Sequence, residues 1–104
     1  MGRIWFFRHS VLFGDAIDPA VKLDGTKIGN SIPGGFFQVQ TTPGAHEVST
    51  TTEATYATTV TVSTNVDSYI KFHIVPGALT YRVVPAVVNE TNAIPELQGL
   101  HYAR

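Results

Sequence analysis

Hydrophobic and polar residues along this chain alternate in short bursts, and a turn signal closes almost every burst. Gly2 to Arg8 opens with aromatic and β-branched residues, placing Ile4 and Phe6 on one face of a strand and Trp5 and Phe7 on the other. Both faces are apolar, which predicts a central strand covered on two sides. His9 to Asp18 reads as a loop, with Val11, Leu12 and Phe13 packed beneath it. Ala20 to Leu23 turns Val21 and Leu23 inward, the Asp24-Gly25 pair makes a tight hairpin, and Lys27-Ile28-Gly29 returns. Pro33-Gly34-Gly35 precedes a strand from Phe36 to Thr41, and Pro43-Gly44 launches another from Ala45 to Thr52. Glu53 to Tyr56 is a link. Thr58 to Ser63 then alternates with Val60 and Val62 inward, and Ser68 to Val75 does so with Ile70, Phe72 and Ile74 on one face. After Pro76-Gly77, Leu79 to Val88 is the longest strand candidate. Only the tail is helical, with Asn92 as its cap, Pro95 in its first turn and Gly99 as its stop.

Strands that recur every eight to twelve residues mean an all-β domain. The expected fold is one immunoglobulin-like or prealbumin-like sandwich spanning 1–104, with about seven or eight strands and a short C-terminal helix. Barrel closure of the same strands is the alternative.

Composition narrows the possible activities. The chain has 104 residues, enough for one hydrophobic core, and 14% of them are charged against a usual ~25%. Net charge is −1, and the seven Lys and Arg residues form no run, so no basic stripe exists to neutralise nucleic-acid phosphates. There is no cysteine, which excludes disulfides, thiolate metal sites and a cysteine nucleophile. No apolar run approaches the ~20 residues of a membrane-spanning helix. The Met1-Gly2 start fails the myristoylation pattern, because Phe6 stands where Ser or Thr is needed.

Reactive side chains are few. His46 shares a face with Val48 and is expected to bond backbone around the Pro43-Gly44 turn, while His73 belongs with Tyr69 and Lys71 on the solvent face. His9, Ser10 and Asp15 form only a sequence neighbourhood, since a triad is a matter of geometry. His101 lies in the tail. No His-x-His, H-x-x-x-H or Asp-x-Asp spacing points to a metal, and no cofactor is expected. Asp24 and Asp67 belong to turns, and Glu47 and Glu53 read as exposed. Asn89-Glu90-Thr91 matches a glycosylation acceptor, a pattern short enough to arise by chance. Aromatics exceed what one core face needs. Most are core, and Trp5, Phe7, Phe36 and Tyr56 are the candidates for a binding patch.

Four stretches carry a resemblance: Ile4-Trp5-Phe6-Phe7-Arg8, then Val21-x-Leu23-Asp24-Gly25-x-x-Ile28-Gly29, then Gly35-Phe36-Phe37, and finally Pro43-Gly44-x-His46-x-Val48. With them the chain resembles, over roughly residues 3 to 90, a family of uncharacterised bacterial proteins known as domain of unknown function 2846 and usually described as lipoproteins. It is also similar to the PEGA module, named for a Pro-Glu-Gly-Ala turn; here that turn reads Pro43-Gly44-Ala45, without the Glu. The resemblance implies the periplasmic side of the bacterial envelope, with an export signal and a lipidated cysteine ahead of the domain; neither is in this chain. A native start at Met1 would imply the cytoplasm instead. The resulting expectation is a non-enzymatic binding or structural module. Its partner would be an envelope protein or a glycan, met by strand-edge addition or an aromatic patch, with a lipid anchor as the only link to the membrane. Self-association through an edge strand such as Thr58 to Ser63 is a further reading. A small hydrolase or metal-dependent enzyme using His46 or His9 is the alternative.

Overall fold

A computed structural model of the protein describes residues 1–10 and 17–103. Nine strands and one helix follow in the order β1 Gly2–Phe7, β2 Ala20–Leu23, β3 Thr26–Asn30, β4 Gly35–Thr41, β5 Gly44–Thr51, β6 Thr55–Val62, β7 Asp67–Pro76, β8 Tyr81–Val88, α1 Glu90–Leu97 and β9 His101–Tyr102. They build a sandwich of two sheets, β8-β7-β1-β4-β9 and β3-β2-β5-β6. Neither sheet closes into a barrel. The predicted loop residues Val11, Leu12, Phe13 and Asp15 lie outside the described residues.

The apolar faces meet as alternation demands. Ile4, Phe6, Phe37, Ile70, Phe72 and Val83 face Val21, Val48, Val60 and Val62 across the interior. Phe6 stacks on Phe37 at 4.8 Å between ring centres and on Phe72 at 6.1 Å. β1 is the central strand its two apolar faces predict, antiparallel to β4 and parallel to β7. Its second face, with Trp5 and Phe7, packs under α1 in a smaller cluster formed with Tyr69, Ala93, Phe36, Leu97 and Leu100. At the end of β1, buried Arg8 donates to the carbonyls of Ile17 and Ser31, so a cation closes the edge of the core through backbone acceptors.

Three expectations about element bounds are corrected. The longest strand is β7, with ten residues, and β8 begins only at Tyr81. The turn runs from Pro76 to Thr80, because Gly77 donates to the Thr80 carbonyl while the Glu53 carboxylate takes the N–H groups of Ala78 and Leu79. Glu53 is therefore not an exposed carboxylate; its side chain is 10% exposed. Gly77 is needed there, since a Cβ would sit 1.6 Å from Glu53 Oε1. The helix begins earlier than expected: Asn89 is the cap and its side chain accepts from the Asn92 N–H, which places Pro95 inside the helix. The ninth strand, two residues long and parallel to β4, is too short to leave an alternation signal.

Candidate functional site

The predicted aromatic set divides in the structure. Phe7 is 1% exposed and offers no surface. Trp5 and Phe36 are half-buried on the same face, 5.9 Å apart, and Phe36 meets Tyr102 edge-on. Trp5 is also committed: its indole N–H donates to Asp67 at 3.2 Å and Arg3 lies over its ring at 5.6 Å. These three therefore belong to the layer beneath and beside α1. Tyr56 lies apart, on β6 of the other sheet.

The histidines are equally committed. His46 Nδ1 lies 2.6 Å from Asp24 Oδ2, and Nε2 lies 2.7 Å from the Thr42 carbonyl. Asp24 and the Thr42 carbonyl only accept, an arrangement that favours the protonated ring with both nitrogens donating; the Thr42 hydroxyl also lies 3.5 Å from Nε2. The Asp24 hydrogen bond, with that of Thr42, raises its pKa above the ordinary range, and the same contact lowers that of Asp24. While protonated, the ring has no lone pair to take a proton or bind a metal. His9 Nε2 reaches Glu96 at 2.9 Å, and Lys71 donates to the same carboxylate oxygen at 2.7 Å. That carboxylate ties α1 to β7 and to the residues after β1. His73 is exposed, its pKa lowered by burial and then by Lys71, but the solvent face expected for it is covered by α1 farther along β7, where Tyr69 is buried. Among the described residues no group of three or more histidines or carboxylates is placed to hold a metal ion. None of five surface hollows has a histidine in its lining.

The feature with binding chemistry is an edge. An edge strand presents N–H and C=O groups with no ladder partner, and proteins usually guard it with charge, proline, a bulge or shortness. Three of the four edges here are guarded: β3 carries Lys27 and Gly29, β8 carries Arg82 and Pro85, and β9 has two residues. β6 reads Thr-Tyr-Ala-Thr-Thr-Val-Thr-Val, eight residues with no charge, proline or glycine. Among the described residues it pairs with β5 alone, along its whole length from Thr55 to Val62. Val60 and Val62 are buried, while Ala57, Thr59 and Thr61 are exposed.

The two ends of β6 differ. Near Thr55, Tyr56 bridges to the opposite sheet: its hydroxyl accepts from Arg82 at 2.7 Å and its ring lies 5.8 Å from the guanidinium. Arg82 in turn donates to Glu53 at 2.9 Å, and that bond heads the contacts holding the Glu53 carboxyl below its usual pKa. Farther along β6 a crevice of about 450 Å³ opens between Thr59-Val60-Thr61, the start of β7 and the end of β8, while Val62 itself stays buried. Val87, half-exposed, and Val88 line it, with Asp67, Tyr69 and Glu90. Burial, then the charges of Glu90 and Asp67, raises the Tyr69 pKa. The edge strand expected at Thr58 to Ser63 is β6, but it runs from Thr55 to Val62 and takes in Thr55 and Tyr56 of the expected link. The crevice beside it escaped notice because its walls come from three separate strands.

No helix among the described residues is long and apolar enough to cross a membrane. No curated protein and no solved structure matches the chain. Residues 1–85, from the central strand to the middle of β8, match one family, and the chain accordingly belongs to the proteins of unknown function DUF2846.

Proposed function

We propose that this chain is a non-enzymatic binding module of the bacterial cell envelope, the soluble part of a lipoprotein, which works by strand pairing at β6. The observation that carries the reading is the combination of an eight-residue unguarded edge with an adjoining crevice. Backbone groups on such an edge supply affinity to any extended segment, and the crevice beside Thr59 to Thr61 gives room for alternate side chains of that segment. The reading is supported by how the candidate catalytic histidines are engaged: His46 hydrogen-bonds through both ring nitrogens, and His9 shares Glu96 with Lys71 in holding α1.

Selection of random heptapeptides displayed on phage tests the surface. The wild-type protein is expected to enrich sequences of alternating β-branched residues, with amide NMR shifts confined to 55–62 and the crevice. A variant carrying Thr59→Lys and Thr61→Lys is expected to enrich none. Peptides that map elsewhere, or no enrichment at all, would remove the reading. The envelope address predicts that protease added to intact spheroplasts degrades the native protein; protection until lysis would place it in the cytoplasm.

A further inference from the structure

We infer that the segment β6 accepts is β6 of a second copy of this chain, an inference that rests on the strand-pairing reading above. Two features favour self-pairing. β6 carries no charge, so two copies meet edge to edge without repulsion along the ladder. Its faces are also sorted in a way that a two-fold axis preserves, with Val60 and Val62 buried and Ala57, Thr59 and Thr61 exposed. An axis normal to the sheet through Thr59 sets Thr59 against Thr59 and Ala57 against Thr61 on the outer face. On the inner face the same axis sets Thr58 against Val60 and Tyr56 against Val62. Both hydrophobic layers then stay on one side, and the four-stranded sheet runs on through the seam into its copy.

The pairing closes at two, because β3, at the far end of the doubled sheet, carries Lys27 and Gly29. One strand edge is a small interface, well short of the ~1,200 Å² of a standard complex, so the dimer is expected to be weak. The half-exposed Val87 beside the seam adds apolar area to it. The nearest carboxylate is Glu47 of β5, which stands opposite Thr59 one strand back from the seam, and those in the crevice have partners: Asp67 accepts from Trp5, and Glu90 accepts from the Tyr69 hydroxyl.

Analytical ultracentrifugation across a concentration series tests this. The wild type is expected to shift from the chain mass to twice that mass, with a dissociation constant on the order of micromolar. Thr59→Lys, an exposed substitution that puts like charges face to face on the axis, is expected to weaken the dimer at least about tenfold. Thr59→Glu is expected to do the same, and mixing the two variants restores a heterodimer. Thr26→Lys on the β3 edge is expected to change nothing. Circular dichroism confirms that each variant is folded. A wild type that stays monomeric yet binds selected peptides at β6 overturns the second copy and leaves the strand-pairing reading standing; a monomer that also binds no peptide at β6 overturns both. A dimer indifferent to Thr59→Lys and Thr59→Glu overturns the placement at this edge.

Discussion

At the scale of single residues, the best-determined group is His46. It joins the β2–β3 turn to the β4–β5 turn through Asp24 and the Thr42 carbonyl. Asp24 also accepts from the Glu47 N–H, so one carboxylate fixes both the ring and the backbone of β5. The pH dependence follows from the two shifts. His46 has a raised pKa in the folded state, so its stabilisation is whole below its ordinary value of 6.5 and is lost as pH rises through the raised value. Asp24 has a lowered pKa, so its share is whole above its ordinary 3.8 and is lost as pH falls through the lowered one. The pair therefore stabilises most between those two ordinary values. His46→Gln is expected to lower the melting temperature by a few degrees at pH 5.5 and by much less at pH 9. An equal loss at both values would show that the ring is not held as an imidazolium. Sequence alone could place His46 at its turn, because Gly44 (φ 122°) fixes the turn locally. It could not supply Asp24, 22 positions away, whose approach depends on β2 pairing with β5.

At the scale of elements, α1 decides whether the outer face of the five-stranded sheet is core or surface. Ala93 is wholly buried against Phe7 and Tyr69, and the shared grip of Lys71 and His9 on Glu96 fixes the other end of the helix. Ala93→Asp buries a charge with no partner and is expected to cost about 2–4 kcal/mol. That corresponds to a fall in melting temperature of roughly 10–20 °C, with Trp5 fluorescence shifting to the red as the helix lifts. An unchanged melt would mean that α1 does not cover this face. The strands were legible because inward and outward residues alternate within each, and because Asp24-Gly25 and Pro43-Gly44 need backbone angles their residues favour. The start of α1 was misread because Asn89 and Asn92 are both good caps, and the choice falls to Asn89, whose side chain reaches the Asn92 N–H. The aromatic patch was misread for a different reason: Phe7 follows the strand pattern of an outer face, and only the return of a distant helix buries it.

At the scale of the whole molecule, two stacked sheets leave four strand edges, and their chemistry is unequal. Lys27, Gly29, Arg82 and Pro85 blunt two of them, shortness limits a third, and β6 stays long, uncharged and adjacent to a crevice. The proposed activity belongs to that asymmetry and to no single reactive group. Residue-resolved amide hydrogen exchange over Thr55 to Val62 measures the edge directly. In dilute protein, alternate amides of β6 are expected to exchange within minutes while their neighbours, bonded to β5, stay protected; raising the concentration or adding a selected peptide should protect the fast set as well. Uniform protection along β6 in the dilute monomer would show the edge already covered, and a fast set that no second strand can protect would show that it accepts none.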